Sequence, residues 1–273
     1  MKINRVNLVY FSPTRSTKRI MEEVAKGIQL PVRHIDLTRP DAKTRPLEEF
    51  GSELVLIGSP VYAGRLPIEA VNRLHRLKAN NTPAVVLVVY GNRAYEDALI
   101  ELSDLVSEEG FKPVAGGAFV AEHSFSSPEV PIQAGRPDEQ DLKKALDFGV
   151  EIRKRLLDAR SLEDIPPVIV PGTRPYRDEF RKSRSGKPGA EPPAPITKEE
   201  LCTKCGICVE VCPNAAITLG STVEMRKEAC IRCYACIRSC PMNARVMIHP
   251  FFAKEAKWLH DDFPDRKEPE TFQ

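Results

Sequence analysis

The chain has 273 residues, of which 42% are hydrophobic and 29% are charged. This composition is typical of a globular protein with one large domain or two ordinary ones, and it excludes a disordered or fibrous chain. The 40 basic and 38 acidic residues almost cancel, so we expect no broad cationic surface for nucleic acid or for an anionic membrane. The longest apolar run, residues 84–90, is too short to cross a bilayer, and no signal-peptide core precedes Ser12. We therefore expect a cytoplasmic protein without membrane insertion.

Residues 1–160 alternate short β-rich runs with amphipathic stretches, which predicts successive βαβ units and a parallel sheet of the α/β class. Right-handed crossovers then give an open, doubly wound sheet that binds ligands beyond the carboxyl ends of its strands. The predicted strands are 6–11, 32–37, 54–58, 84–90 and 114–120. The predicted helices are 16–27, 68–77, 95–109 and 138–157.

The loop after the first predicted strand is rich in hydroxyl groups and leads directly into a helix. Hydroxyls and free backbone N–H groups at the positive end of a helix can bind a phosphate dianion without a salt bridge. Serine and threonine are also ordinary helix N-caps, and this alternative stays open. The loop lacks the glycine pattern of a nucleoside triphosphatase or of a dinucleotide-binding fold. The candidate phosphate ligands are Ser12, Thr14, Arg15, Ser16 and Thr17.

Two further loops follow the third and fourth predicted strands, at an edge where a flat ring could lie. Both combine glycine with an aromatic side chain, and we expect Tyr62, and after it Tyr95, to stack on such a ring. After the fifth strand, His123 could carry a proton at the ring's edge, or it could simply hold its loop by a hydrogen bond. The ring-binding candidates are Pro60, Val61, Tyr62, Ala63 and Gly64 in one loop and Gly91, Asn92, Arg93 and Tyr95 in the other.

Residues 161–195 are rich in proline and in basic residues, and we interpret them as a linker between domains. Their charge predicts a solvated tether, with a docking site for an acidic partner as the alternative. The last residues, 251–273, begin with Phe251 and Phe252 and contain Trp258. We expect this tail to pack a short helix on one of the two domains.

All eight cysteines lie between Cys202 and Cys240, and the spacing C-x-x-C-x-x-C-x-x-x-C-P occurs twice at a constant offset. Three thiolates on one tight loop converge on one cubane, whereas the fourth is carried away by a short helix and ligates the other cluster. The spacing therefore predicts two [4Fe-4S] clusters, with four-cysteine zinc sites as the alternative. Tyr234 could shield a cluster or serve in plain packing. The predicted ligand sets are Cys202, Cys205, Cys208 and Cys240 for one cluster and Cys230, Cys233, Cys236 and Cys212 for the other.

Residues 196–250 resemble bacterial 2[4Fe-4S] ferredoxins, and the three loops at the sheet edge resemble the phosphate and ring loops of flavodoxins. The chain as a whole is similar to flavodoxin–ferredoxin fusion proteins. This resemblance implies an FMN-binding domain at 1–160 with strand order 2-1-3-4-5, a small α+β ferredoxin-like domain at 196–250, and a tail at 251–273. By the resemblance the hydroxyl loop holds the FMN phosphate and the two later loops hold the isoalloxazine. Arg15 departs from the family, because many flavodoxins have glycine there.

Together these features predict an electron carrier, of the kind found in anaerobes, with a protein donor and a protein acceptor. No acid–base pair or nucleophile is visible in the sequence, so whether the chain is an enzyme stays open. The alternative is a flavin-dependent reductase in which the clusters supply electrons for an organic substrate. A redox sensor is a third hypothesis. The sequence does not specify the oligomeric state.

Overall fold

The N-terminal domain is built on a parallel sheet whose strand order is that of flavodoxins. The computed structural model of the chain describes residues 3–47, 49–177 and 192–273. Strand β1 lies at the centre of the domain and pairs in parallel with both β2 and β3, and β4 and β5 follow outward. The predicted order 2-1-3-4-5 is therefore confirmed. The five parallel strands are β1 Val6–Tyr10, β2 Val32–Asp36, β3 Leu54–Pro60, β4 Thr82–Tyr90 and β5 Phe111–Val120.

Helices cover both faces of this sheet and divide the core into two layers. The helices α1 and α4 approach so closely that a Cβ on Gly27 would lie 2.1 Å from the Leu146 carbonyl oxygen. The predicted helix 68–77 ends earlier, at Leu74, and the predicted helix 95–109 begins later, at Ala98. The four helices are α1 Ser16–Ile28, α2 Ile68–Leu74, α3 Ala98–Glu108 and α4 Glu139–Asp158.

The second domain is a small α+β unit with internal pseudo-symmetry, as predicted. Its elements are strands β6 Ile196–Thr197, β7 Ile217–Leu219, β8 Val223–Met225 and β9 Arg245–Val246 and helices α5 Ile207–Glu210 and α6 Ala235–Arg238. Strand β6 pairs with β9 and β7 with β8, both antiparallel. The two halves repeat each other's backbone, because residues at the same offset adopt left-handed conformations in both. These pairs are Lys204 and Arg232, Gly206 and Tyr234, and Ala215 and Asn243.

The C-terminal tail folds back onto the N-terminal domain. Its helix α7, Pro250–Asp262, confirms the expected short helix, and its buried face contacts the loop that contains Phe125 and Ile132. Strand β10, Glu270–Phe272, then pairs antiparallel with β5. The sheet therefore consists of the five predicted parallel strands and a sixth, antiparallel strand at this edge that the sequence did not predict. A three-residue strand is too short to show the alternation from which strands are predicted.

The first half of the predicted linker is part of the N-terminal domain. Leu162 and Ile165 are buried in one core layer, and Val168 and Val170 are buried in the other. The prediction of a solvated tether is therefore wrong for residues 162–170. Removing these four apolar side chains from water is favourable in free energy, so this segment packs on the domain. Residues 178–191 of that predicted linker lie outside the described residues. Within the described part of the chain, no helix is long and apolar enough to span a membrane.

Candidate functional site

The hydroxyl loop joins β1 to α1 and has the geometry of an anion site. The Oγ of Ser12 accepts the backbone N–H of Lys18 at 3.1 Å, which folds the loop over the first turn of α1. The side chain of the N-cap residue, Arg15, makes no capping bond, so the N–H groups of Ser16 and Thr17 in the first turn stay available for a ligand. The hydroxyl of Thr17 is buried and has no hydrogen-bond partner among the described residues. An orphaned buried hydroxyl beside free N–H groups fits a bound phosphate.

Arg15, which stands where many flavodoxins have glycine, adopts a left-handed conformation. Its φ is 67°, and it stands at the N-cap of α1 with its side chain exposed. A left-handed conformation costs a non-glycine residue roughly 1–2 kcal/mol. The loop therefore keeps a strained turn with arginine in place of glycine, and this adds a cation at the helix N-terminus.

The first ring loop is a tight turn anchored by a buried ion pair. Tyr62 and Arg65 exchange backbone hydrogen bonds of 2.8 and 3.2 Å across Ala63 and Gly64. Both central residues have positive φ, which is typical of a type I′ turn. The guanidinium of Arg65 then binds the carboxylate of Glu101 on α3 through contacts of 2.8 and 2.7 Å, with both side chains buried. This pair holds the turn, with half-buried Tyr62 at its start, against the body of the domain.

The loops after β3, β4 and β5 lie against one another at the same sheet edge. A Cβ added to Gly64 would lie 1.8 Å from the Glu96 carboxylate, and one added to Gly91 would lie 2.1 Å from the ring of His123. Glycine is favoured at Gly64 by its φ of 77°, and at Gly91 because the His123 side chain occupies the space of a Cβ. The Nδ1 of His123 accepts the backbone N–H of Phe125 at 3.1 Å. The structure thus gives His123 a loop hydrogen bond, and a proton-carrying role stays a prediction.

Two predicted ring-binding side chains in the second loop contact the C-terminal tail. The amide of Asn92 donates to the carbonyl oxygens of Phe263 and Asp265 at 3.0 and 2.8 Å. The hydroxyl of Tyr95 donates to Glu270 at 3.0 Å, and its ring packs on Tyr90. The tail therefore fixes the shape of this loop, and the flavin contact of Asn92 and Tyr95 stays a prediction.

Four cysteines, the outer set, surround one small cavity in the second domain. They are Cys202, Cys205, Cys208 and Cys240, and they line the cavity together with Gly206, Met242 and Arg245. Cys205 is exposed and the other three are half-buried. The backbone N–H of Ala244 donates to the sulfur of Cys240 at 3.2 Å. This set is the one that the cysteine spacing predicts for the first cluster.

The other four cysteines, the inner set, are more deeply buried. They are Cys212, Cys230, Cys233 and Cys236, of which three are buried and Cys230 is half-buried. Burial raises the pKa of the Cys236 thiol to about 11 and raises those of Cys230 and Cys233 as well. Buried thiolates therefore need positive charge nearby, which the iron of a cluster supplies. All eight cysteines are free of disulfides, so both sets fit the cubanes predicted for them.

The inner set is the one that docks on the N-terminal domain. The guanidinium of Arg73 on α2 is buried, lies over the ring of Phe11 at 5.1 Å, and donates to the carbonyl oxygen of Pro213 at 2.7 Å. Ile231, next to Cys230, packs against the core of the N-terminal domain. Both loops that supply the inner thiolates therefore contact the domain that carries the ring loops.

A series of aromatic contacts also joins the two domains. The ring of His123 packs on Phe125 with centroids 4.5 Å apart, and Phe125 packs on Tyr234 at 4.8 Å. Tyr234 follows Cys233 directly and is buried. Its ring therefore packs in the interface between the domains, and a role in shielding a cluster stays a prediction. Arg238 on α6 adds polar contacts to the same interface. Its guanidinium donates to the Glu122 carboxylate and to the His123 carbonyl oxygen, both at 2.8 Å.

Sequence reasoning missed the roles of Arg73, Arg65 and Phe125. A signal for Arg73 was present, because it falls on the apolar stripe of its predicted helix with Ala70, Leu74 and Leu77. An arginine at such a position indicates a buried partner. For Phe125 no local signal exists, because its contacts are formed only by residues distant in sequence.

The fold and the cysteine sets together define a two-domain protein, with a 4Fe-4S dicluster domain joined to a domain of flavodoxin topology. Residues 194–247 match the family model of the 4Fe-4S dicluster domain. The predicted fusion and its two clusters are thereby confirmed, and the zinc alternative is wrong. No match was found among the curated proteins.

Several solved flavodoxins are similar to the N-terminal half. One from the domain Archaea is 18% identical, with 56% of this chain and 99% of that chain covered and a TM-score of 0.38. Flavodoxin 2 from Bacillus cereus is 16% identical, with 55% and 99% covered and a TM-score of 0.42. The Fusobacterium nucleatum flavodoxin bound to flavin mononucleotide is 13% identical, with 56% and 99% covered and a TM-score of 0.37.

Proposed function

We propose that the chain transfers electrons between an FMN at the loop edge of its parallel sheet and two [4Fe-4S] clusters, with protein partners as donor and acceptor. A cubane passes one electron at a time, whereas a flavin exchanges one or two, so the pair connects single-electron with two-electron chemistry. The phosphate would be held by the hydroxyl loop and the first N–H groups of α1. The ring would be held by residues 60–64 and 91–95.

The observation that carries this proposal is the docking of the inner cysteine set beside the ring loops. Gly91 of the second ring loop contacts His123, and the contacts continue through Phe125 to Tyr234, the neighbour of Cys233. The residues that would hold the flavin and one cluster are thus joined by packed side chains. Close packing also excludes water, which would otherwise reorganise around each change in charge.

The first test is the cofactor content of the protein purified without oxygen. The two-cubane motif predicts about eight irons per chain with matching sulfide, and the flavodoxin-type loop edge predicts about one FMN. A protein that holds iron and sulfide but neither retains nor takes up FMN would refute the flavin part of the proposal.

The second test is electron transfer across the domain interface. Tyr234 has φ 65°, and its counterpart in the first half of the repeat is Gly206, so Tyr234→Gly removes the ring without straining the backbone. We expect slower flavin reduction after the clusters are reduced in a rapid-mixing experiment, whereas Tyr234→Phe keeps the wild-type rate. Equal rates in the glycine variant and the wild type would contradict a role for the interface.

A further inference from the structure

Arg245 is a buried cation placed between the two cysteine sets. Its side chain is 3% exposed, and it belongs to β9 in the small domain. The guanidinium donates to the hydroxyl of Thr197 at 2.6 Å and to the carbonyl oxygen of Pro195 at 3.1 Å, and it lies 3.2 Å from the sulfur of Met225. Within the described residues none of its partners is a carboxylate, and its Nε has no hydrogen-bond partner. Such a charge is costly to bury without a counter-charge.

The nearest candidates for that counter-charge are the thiolates. Arg245 lines the cavity of the outer set. The sulfur of Met225, which lies 3.2 Å from the guanidinium, packs against the cluster of side chains that contains the inner cysteines Cys212 and Cys236. One guanidinium therefore lies close to both sets.

The repeat shows that this charge is not part of the cluster-binding pattern itself. The position that corresponds to Arg245 in the first half is Ile217, which is buried and apolar. The two halves otherwise match in their cysteines and in their left-handed residues. Arg245 thus departs from the repeat at a buried position, and among the described residues its guanidinium contacts the Thr197 hydroxyl, the Pro195 carbonyl oxygen and the Met225 sulfur.

We propose that Arg245 sets the reduction potentials of both clusters by stabilising their reduced forms. A cubane with its four thiolates is anionic, and one added electron increases that negative charge. A fixed positive charge in a buried, poorly screened place favours the more negative state. The potential of each cluster is thereby raised relative to the same fold without the arginine. This inference depends on the two clusters and is independent of the flavin.

The test is a potentiometric titration of the holoprotein followed by EPR spectroscopy of the reduced clusters. In Arg245→Gln we expect the ratio of reduced to oxidised cluster at a given potential to fall at least tenfold, which is about 59 mV for a one-electron couple. Arg245→Lys retains the charge and should stay close to the wild type. Arg226→Gln removes a charge from the exposed surface of the same domain and should shift the potentials less, because water and salt screen it.

Iron and sulfide analysis of each variant separates loss of a cluster from a change in its potential. Arg245→Met is a second uncharged variant, because its side chain brings no polar group of its own beside Met225. A fall in both potentials in either uncharged variant with full iron content supports the proposal. Unchanged potentials in both uncharged variants, or an equal shift in Arg245→Lys, would overturn it.

Discussion

Replacement of Thr17 by valine separates FMN binding from folding. The Thr17 hydroxyl is buried without a partner among the described residues, while its methyl group faces Gly58 on the sheet side. Valine has the same shape and retains that methyl contact. The substitution therefore removes only the group that we propose as a phosphate ligand.

The substitution should stabilise the flavin-free protein and weaken its binding of FMN. In the flavin-free protein the loss of an unsatisfied buried hydroxyl should raise the free energy of unfolding by about 1 kcal/mol. In the FMN complex the loss of a hydrogen bond to a charged group costs about 1.5–3 kcal/mol. That cost corresponds to a dissociation constant weakened by roughly 10- to 150-fold.

The dissociation constant is measured by quenching of FMN fluorescence on titration with the flavin-free protein, and stability by urea unfolding of the same preparation. Thr17→Ser is the matched control, because it keeps the hydroxyl and loses the methyl group. We expect it to bind FMN nearly as the wild type does while losing about 1 kcal/mol of stability. If valine leaves FMN affinity unchanged, or serine weakens it as much, the hydroxyl does not bind the phosphate.

Three further predictions concern the loops and the interface. Deletion of residues 263–273 removes the carbonyl groups that bind Asn92, and we expect FMN affinity, measured by the same titration, to weaken about tenfold while the iron content stays constant. Burial tends to raise the pKa of Asp97, but hydrogen bonds from Arg177 and neighbouring N–H groups outweigh it and hold this pKa well below its usual range. The carboxylate thus stabilises the fold above about pH 4 and loses this effect on acidification. Asp97→Asn should therefore cost about 1–3 kcal/mol at pH 7 and progressively less as the pH falls below about 4 in urea unfolding, and a cost that does not change with pH would contradict the assignment. Arg73→Met removes the bond to the Pro213 carbonyl oxygen and should slow electron transfer between clusters and flavin, as followed by rapid mixing, without loss of either cofactor.

The cysteine sets were predictable because their geometry is encoded locally. Three thiolates of each set lie on one short loop with fixed spacing, and the fourth comes from the other half of the repeat at a constant offset. The parallel sheet followed from the same kind of signal, since β-rich runs and amphipathic helices alternate over residues 6–157, and the resemblance to flavodoxins implied its strand order. The fold class and the two-cluster motif were therefore accessible from the sequence.

The tail and the interface were not accessible, because they depend on contacts between distant residues. Strand β10 gains its place only by pairing with β5, and Phe125 gains its role only through Tyr234. Asn92 was assigned to the ring loop by position, yet its amide binds the tail. A polar side chain in a loop indicates that it needs a hydrogen-bond partner, but the sequence does not say which group is that partner.

The two cysteine sets have the same sequence spacing and different environments, and the difference comes from the N-terminal domain. Docking through Arg73 and Ile231 covers the loops of the inner set, while the outer set retains exposed Cys205. The two halves of the repeat thus have different environments because the N-terminal domain packs on one of them. Because the inner set lies against the domain of the ring loops, the outer set is the one left accessible to a protein partner. The order of the redox centres in the proposed function therefore follows from the interface, since the cysteine spacing is identical in both halves.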